Sequence, residues 1–227
     1  MSNNSKILFA AKCAPQSSIF RDIEKAGIEA VELFLSGEEL DDLYNTVQTC
    51  KAFPFRYAVH APNSGFLTDK LAKLSGDIRA EIAVFHNIYW EDEWQDIITM
   101  FNGIETKLCI ENIYSIHESS KFMRRYGFSS CLDLEHLQIE CAGVFEEEFM
   151  RFMKHASHIH LTGYIFGSSL WHTHIHQSVE HCLYMLNLLK KSSYSGMVVS
   201  EARVALQTYD EFKKLHDFYQ LWISMEV

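Results

Sequence analysis

The chain has 227 residues, 48% of them hydrophobic and 22% charged, which is the composition of a globular protein with a large apolar core. Its formal net charge of −10 disfavours non-specific binding to DNA or RNA, which needs clustered lysines and arginines, although it leaves room for a local basic patch. No apolar run approaches the ~20 residues of a membrane span, and the first residues, MSNNSK, lack the layout of a signal peptide.

Short apolar runs alternate with longer amphipathic runs along the chain. The apolar runs are continuous, as is typical of strands buried on both faces, and they predict eight strands: residues 7–11, 30–35, 56–60, 82–88, 107–112, 130–134, 158–162 and 197–201. The amphipathic runs predict eight helices: residues 17–26, 38–51, 67–79, 91–101, 115–126, 145–155, 178–191 and 209–223. Gly27 and Gly127 follow two of these runs, at positions where glycine commonly ends a helix.

The strict alternation of strands and helices predicts a parallel sheet. Eight such units favour a closed (β/α)8 TIM barrel, formed as a single domain by residues 1–227. The alternative is a doubly wound open sheet. A glycine-rich phosphate-binding loop would support that fold, but the sequence contains neither a G-x-G-x-x-G nor a G-x-x-x-x-G-K motif. The longest irregular stretch, residues 163–177, follows the seventh strand, and in a barrel the loops after the strands build the active site.

Acidic residues and histidines mark the ends of six consecutive predicted strands and the loop after the seventh. These residues are His60, His86, Glu111, Asp133, His136, His160, His172, His174 and Glu201. A carboxylate at the end of an apolar strand is costly to bury unless it is paired or binds a metal. Because parallel strand ends meet at the barrel mouth, we predict a site for one to three divalent ions there, with a structural polar network as the alternative. Mixed carboxylate and imidazole ligands suit Zn, Mn, Fe or Co.

Several further residues are predicted to lie near this site or to have structural roles. Glu32 fits either a salt bridge within the barrel or a substrate contact, and His158 lies one layer lower, where a structural role is favoured. Trp171 is a candidate for stacking on a sugar ring, whereas Trp90 and Trp94 are predicted to pack in the core or at the rim. The remaining histidines are predicted to lie at the surface: His117, His155, His176, His181 and His216.

The motifs VELF, YAVHAP, AVFHN, LCIEN, CLDLEH, HIHLT, HTH and VVSEAR follow one another along the chain. Their order and spacing resemble those of the xylose isomerase-like TIM barrels, a superfamily of sugar isomerases and epimerases, inosose dehydratases and endonuclease IV. The resemblance extends from about Ile7 to Arg203. From the sugar epimerase branch, it implies one metal ion with His136 close by and with four ligands: Glu111, Asp133, His160 and Glu201.

The endonuclease IV branch implies a larger, trinuclear zinc site. There the resemblance adds the histidines that end the third and fourth strands, His60 and His86, and the histidine of the D-x-x-H motif, His136. It also adds His172 and His174 after the seventh strand. His172 stands where that branch has an aspartate, so a bridging carboxylate is missing from a full trinuclear copy.

Two enzymatic functions follow from these ligand sets. The first is a divalent-metal-dependent isomerase or epimerase of a sugar or sugar phosphate, in which Glu111 and Glu201 exchange a proton next to a metal-bound carbonyl. His136 and Arg203 would orient the substrate hydroxyls. Xylose isomerase uses a lysine near its fifth-strand carboxylate, and none follows Glu111 here, which favours epimerisation. The second is an endonuclease IV-like hydrolase of phosphate esters with two or three metals, and a non-catalytic metal-binding barrel is the third alternative.

The cysteines indicate the compartment. The six cysteines include no C-x-x-C pair, and Cys109 and Cys131 lie inside apolar runs, as buried thiols do. We therefore expect a reducing compartment, the cytoplasm, and no membrane partner. The expected partner is a small-molecule substrate, and the sequence leaves oligomerisation open.

Overall fold

The computed structural model describes residues 7–65 and 67–225. Its sheet is a closed parallel barrel in which each strand pairs with its sequence neighbours and the last strand pairs with the first. The strands are β1 (Ile7–Cys13), β2 (Ala30–Phe34), β3 (Arg56–His60), β4 (Ile82–Phe85), β5 (Lys107–Glu111), β6 (Ser129–Asp133), β7 (Ala156–Leu161) and β8 (Gly196–Ser200). The predicted (β/α)8 fold is confirmed, and the open sheet is excluded.

Helices follow the strands and cover the outside of the barrel. They are α1 (Ser17–Ala26), α2 (Gly37–Asp41), α3 (Leu43–Lys51), α4 (Thr68–Ile78), α5 (Glu91–Met100), α6 (Ile116–Tyr126), α7 (Leu134–Glu140), α8 (Phe145–Phe152), α9 (Val179–Lys191) and α10 (Tyr209–Ser224). Short 3-10 turns are found at Met153–His155, Ile175–Ser178 and Val204–Leu206. Within the described residues, no helix is both long and apolar enough to cross a bilayer.

Apart from shifts of up to two residues at the ends of elements, and with the 3-10 turn Met153–His155 counted with α8, the predicted elements differ from the structure at three places. The single helix predicted over residues 38–51 is two helices, because Asp42 leaves the helical conformation at φ −96° and ψ 48°. The strand predicted over residues 82–88 ends at Phe85. Helix α7 lies outside the predicted elements, because its first turn, LEH, directly continues the apolar run of the sixth strand.

The barrel interior is built in layers because inward-facing residues recur at every second strand position. The lower layer is apolar and small, and its residues are Leu8, Ala10, Ala30, Ala58, Ile82, Val84, Cys109, Cys131, Met197 and Val199. A second, larger core fills the space between the barrel and the helices. All six cysteines are buried and unpaired, as predicted for Cys109 and Cys131. The small lower layer supports the polar layer above it.

Candidate metal centre

Above the apolar layer, each of the eight strands contributes an inward-facing polar side chain. We call this set the polar layer; its members are Lys12, Glu32, His60, His86, Glu111, Asp133, His160 and Glu201. Seven of them lie at or near the carboxyl end of their strand and Glu32 lies in the middle of β2, and barrel closure brings all eight together from distant parts of the chain. Most are buried, and Glu201, with 20% of its side chain exposed, lies towards the solvent.

Four members of the polar layer converge on a common centre. His160 Nδ1 lies 3.0 Å from Glu201 Oε2, 3.4 Å from Glu111 Oε1 and 3.7 Å from Asp133 Oδ2. One ligand atom from each of the four residues lies within 4.8 Å of the others. His160 Nδ1 and Asp133 Oδ2 are buried and have no hydrogen-bond partner. Buried polar atoms are normally satisfied, so two unpaired atoms facing two further carboxylate oxygens fit a divalent cation.

Each carboxylate of this group presents one oxygen to the centre because its other oxygen is engaged. The backbone N–H of His136 donates to Asp133 Oδ1 at 2.7 Å, which also caps helix α7. Lys12 Nζ donates to Glu201 Oε1 at 2.9 Å. Glu111 Oε2 faces two histidine nitrogens rather than the centre. The centre thus offers three single carboxylate oxygens and one imidazole nitrogen, and catalytic metal sites characteristically keep room for a further ligand.

Glu32 supports the centre from below. Its Oε2 lies 3.0 Å from His160 Nε2 and 2.7 Å from His158 Nε2, and its Oε1 lies 3.2 Å from Lys12 Nζ. Burial by itself would raise the pKa of Glu32, but His160 and Lys12 outweigh burial and hold the pKa well below its usual value. An ionised Glu32 accepts the Nε2–H of His160 and so directs Nδ1 towards the centre, which is the usual orientation of a metal-binding histidine. The structure therefore places Glu32 in the barrel salt-bridge role.

A second group lies beside the first and shares Glu111 with it. His60 Nε2 and His86 Nε2 lie 3.0 Å and 2.9 Å from Glu111 Oε2. His60 Nδ1 donates to the backbone oxygen of Ala61 at 3.0 Å, so in the neutral ring Nε2 is a bare acceptor that faces a carboxylate oxygen. Burial lowers the pKa of His60, which disfavours a second proton on the ring. A cation bound between His60 Nε2 and Glu111 Oε2 would remove the repulsion between these two acceptor atoms. His60, His86 and Glu111 therefore form a candidate cation group.

The charges of the first group are strongly coupled. Burial favours the neutral forms, but Lys12 and His160 outweigh it at Glu201, and His160 is the main group that outweighs it at Glu111, so both carboxyl pKa values are lowered. Burial by itself would lower the pKa of His160, but the ionised carboxylates of Glu32 and Glu111 raise it well above its usual value. The nearby thiol of Cys131 is neutral, because burial raises its own pKa. In the absence of a cation, a proton on His160 therefore takes up part of the negative charge.

Lys12 is the member of the polar layer that the sequence analysis missed. The first strand is predicted to end at Ala11, which leaves Lys12 outside it, although β1 continues to Cys13. A signal was present: Leu8, Ala10 and Lys12 share the period-two spacing of one strand face, and a lone lysine in the run ILFAAKC interrupts that apolar face.

The structure does not bring the remaining predicted ligands into either group. Both ring nitrogens of His174 are engaged, with Ser200 Oγ at 2.9 Å and the Leu206 backbone oxygen at 3.1 Å. The ring of His172 is 45% exposed, and its Nδ1 lies 3.7 Å from Glu135 Oε1. His136 contributes its backbone N–H to Asp133, and its ring belongs to neither group. Among the described residues, the third group of a trinuclear site is thus not assembled.

The predicted substrate-contact residues lie at the rim. Trp171 is exposed in the loop after β7, with its ring centroid 4.6 Å from that of Tyr164. Arg203 is exposed after β8, and its backbone N–H donates to the backbone oxygen of His172. Trp94 is buried in the core as predicted, and Trp90 is exposed. The sequence predicts a solvated His176, but its Nε2 lies 3.0 Å from Glu211 Oε2.

Comparisons with known proteins find the fold in other structures. No family model and no curated protein matches the chain. D-allulose 3-epimerase from Methylomonas sp., in complex with D-allulose, is 10% identical with a TM-score of 0.63, over 100% of this chain and 99% of that one. A xylose isomerase domain protein from Planctomyces limnophilus is 10% identical with a TM-score of 0.64, over 99% of this chain and 98% of that one.

A third similar structure is a protein from Thermus thermophilus soaked with ZnCl2. It is 12% identical with a TM-score of 0.64, and the match covers 95% of this chain and 98% of that one. At such low identity these likenesses show the fold alone. They confirm the TIM-barrel fold that the sequence predicted.

Proposed function

We propose that this barrel is a divalent-metal-dependent isomerase or epimerase of a sugar or sugar phosphate. The observation that carries the proposal is the group of four ligands in which Glu111 Oε1 and Glu201 Oε2 face one centre together with His160 Nδ1. Two carboxylates at one cation are what an exchange of a carbon-bound proton needs, because one can accept the proton while the other returns one.

The chemistry divides between the cation and the side chains. Four residues would hold the cation: Glu111, Asp133, His160 and Glu201. A divalent cation there supplies Lewis acidity, which polarises a carbonyl and stabilises negative charge next to it. Glu201 Oε2, on the more exposed side, accepts the proton from the carbon beside the carbonyl, and Glu111 Oε1 returns one. The pKa of each carboxyl is lowered, so both are ionised at neutral pH. Glu201 can therefore accept the carbon-bound proton directly, whereas Glu111 must take a proton from solvent before it returns one to the carbon.

Similar structures and the residues at the rim of the barrel support a sugar as the substrate. One neighbouring structure of the same fold holds D-allulose, and another was soaked with ZnCl2. The exposed ring of Trp171 is available for stacking on a sugar ring, and Arg203 and His136 are available for its hydroxyl groups. These three substrate contacts are part of the proposal.

Lys12 changes the balance between epimerisation and aldose isomerisation. The sequence favours epimerisation because no lysine follows Glu111, yet an ammonium group enters the polar layer from β1 instead. The absence of a lysine near the centre is therefore no longer an argument against isomerisation. Lys12 is not an argument for isomerisation either, because it already pairs with Glu32 and Glu201. The proposal therefore covers both reactions.

A multinuclear phosphate-ester hydrolase is the second candidate. The observation in its favour is the group of His60, His86 and Glu111, in which the bare Nε2 of His60 faces a carboxylate oxygen. A second cation there would share Glu111 with the first, as bridged pairs of ions do in hydrolases that activate water. The formal net charge of −10 favours a small phosphate ester over a nucleic acid as its substrate.

Two measurements decide between these functions. Metal analysis of purified protein gives the number of ions per chain: one supports the isomerase, and two or three support the hydrolase. Incubating metal-loaded protein with candidate ketoses in D2O tests the reaction itself, and the proposal predicts deuterium at the carbon beside the carbonyl. Release of inorganic phosphate from small esters without deuterium uptake would support the hydrolase instead. Tight metal binding with neither reaction would support a non-catalytic barrel.

A further inference from the structure

We infer that Lys12 is a positioning residue that restricts Glu201 to a single oxygen towards the cation and so keeps one position on the cation open to an exchangeable ligand. This inference rests on the metal centre of the proposed function. It assigns a task to a side chain that belongs to none of the three candidate ligand groups among the described residues.

The two oxygens of Glu201 point to different partners. Oε1 accepts a hydrogen bond from Lys12 Nζ at 2.9 Å, while Oε2 lies 3.0 Å from His160 Nδ1, on the side of the centre. A carboxylate whose two oxygens were both free could turn both towards a cation. With Oε1 held by an ammonium group, Glu201 can offer the cation only Oε2.

The strand order explains why Lys12 can do this. Strand β1 lies between β8 and β2 in the barrel, and Lys12 pairs in register with Glu32 on β2. On the other side, Ala11 pairs with Ser200, which places Lys12 beside Glu201. The ammonium group therefore reaches Glu201 at 2.9 Å and Glu32 at 3.2 Å from one buried position, with 7% of the side chain exposed. Because the ammonium group also pairs with Glu32, it stays in place and holds Glu201 Oε1 in one orientation.

Glu201 needs such a restraint more than the other two carboxylate ligands. Asp133 Oδ1 is held by a backbone N–H at the start of α7, and Glu111 Oε2 is contacted by two histidines. Glu201 follows the last residue of β8, is the most exposed of the three, and its second oxygen depends on Lys12. Removing the ammonium group should therefore free Glu201 Oε1 to displace a water molecule from the cation.

The test compares variants loaded with Mn²⁺, whose effect on water-proton relaxation reports the water molecules bound directly to the ion. Lys12→Met removes the ammonium group with little change in length, and Lys12→Gln retains a hydrogen-bond donor without the charge. Lys107→Met is the control, because Lys107 begins β5 at the opposite end of the barrel. Mn²⁺ affinity is measured in the same titrations so that relaxation is compared at full loading.

We expect wild type and Lys107→Met to give equal relaxation per bound ion. Lys12→Met should give a lower value, equivalent to the loss of about one directly bound water, with Mn²⁺ affinity equal to or above that of wild type. The relaxation per bound ion of Lys12→Gln should lie between those of wild type and Lys12→Met. A purely structural role for Lys12 would not produce this graded change. Lys12→Gln also provides the measurement if Lys12→Met does not fold. Equal or higher relaxation in the Lys12 variants that bind Mn²⁺ would overturn this inference and leave the metal centre standing. Failure of wild type to bind Mn²⁺ would overturn both.

Discussion

Glu111 is the residue shared by the group around His160 and Glu201 and the group of His60 and His86. Its Oε1 faces His160 and its Oε2 faces His60 and His86, so one side chain links the two groups. Glu111→Gln should weaken metal binding and lower turnover at least ~100-fold, because the amide can neither balance the cation's charge nor accept a proton at the same atom. Glu118→Gln, on the exposed surface of α6, is the matched control. Full activity in metal-loaded Glu111→Gln would remove Glu111 from the site.

Protonation of His160 should make metal binding dependent on pH. The pKa of His160 is raised well above its usual value, so without a cation the ring holds a second proton at neutral pH, on the Nδ1 atom that a cation needs. The pKa values of Glu111 and Glu201 are lowered, so these carboxyls are already ionised and release nothing. Binding should therefore release about one proton and strengthen as pH rises towards the raised pKa.

Calorimetric titration with Zn²⁺ in buffers of different ionisation enthalpy measures that proton. At neutral pH, the apparent binding enthalpy should change with the buffer in proportion to about one proton released per ion bound. His60 is expected to contribute nothing, because burial lowers its pKa and the ring is neutral before the ion binds. Binding enthalpies that do not depend on the buffer would show that His160 Nδ1 is unprotonated or is not a ligand.

At this scale, the ligands that could be predicted from the sequence are those that end an apolar strand. Glu111, Asp133 and His160 follow apolar residues at inward positions, so the period-two pattern places them at the mouth. Lys12 is missed because the first strand is predicted to end at Ala11, although the spacing of Leu8, Ala10 and Lys12 places it on the inward face. His174 could not be assigned from its H-x-H spacing. The partners of His174, Ser200 and Leu206, lie more than 20 residues away, and no local pattern indicates such contacts.

At the scale of elements, the loop between β7 and α9 is fastened to the barrel by His174. Its Nδ1 contacts Ser200 Oγ at the end of β8, and its Nε2 donates to the Leu206 backbone oxygen in the following turn. Burial lowers the pKa of His174 to about 4, so the ring is neutral at physiological pH. The contacts indicate that His174 stabilises the loop rather than binding a third ion.

His174→Ala should therefore lower stability and leave metal content unchanged. The loss is expected to be about 1–3 kcal/mol, since the substitution leaves the buried O–H of Ser200 without its acceptor and the Leu206 carbonyl without its donor. Denaturant unfolding gives the stability, and element-resolved analysis gives the number of ions. His86→Ala is the contrasting variant, because it should remove a second ion where one is bound. A variant of His174 that keeps its stability but loses an ion would restore the third-ion interpretation.

Element boundaries show where local sequence stops being informative. Seven of the eight strands lie within two residues of their predicted ends, because apolar runs and strands coincide in a barrel covered on both faces. Helix α7 escaped prediction because Asp133 serves two elements, ending β6 and capping the helix that follows. A cap that is also a candidate ligand has no separate sequence signature. The structure identifies Asp133 as the cap of α7, because the backbone N–H of His136 donates to Asp133 Oδ1.

At the scale of the whole molecule, barrel closure concentrates negative charge on one axis. Four carboxylates of the polar layer come from β2, β5, β6 and β8, and Lys12 is the one basic residue with a permanent charge in that layer. Their repulsion opposes folding, and a bound cation offsets it. The folded protein should therefore bind divalent ions far better than the unfolded chain, in which these carboxylates are separated by long segments of solvated chain.

Chelation should accordingly lower the thermal stability of the protein. A cation at a free concentration 100-fold above its dissociation constant adds about 2.7 kcal/mol to the free energy of unfolding. For a chain of this size that corresponds to a rise in Tm of roughly 5–10 °C. Circular dichroism melts of chelator-stripped protein, with and without Mn²⁺ or Zn²⁺, measure the shift.

Asp133→Asn is the matched variant, because asparagine caps α7 as well as aspartate does but carries no charge for the cation. It should melt at the same temperature with and without the ion, since one of the four ligands has lost its charge. If wild type also melts unchanged, or if Asp133→Asn keeps the full shift, the cation does not bind where His160, Asp133 and the two glutamates meet.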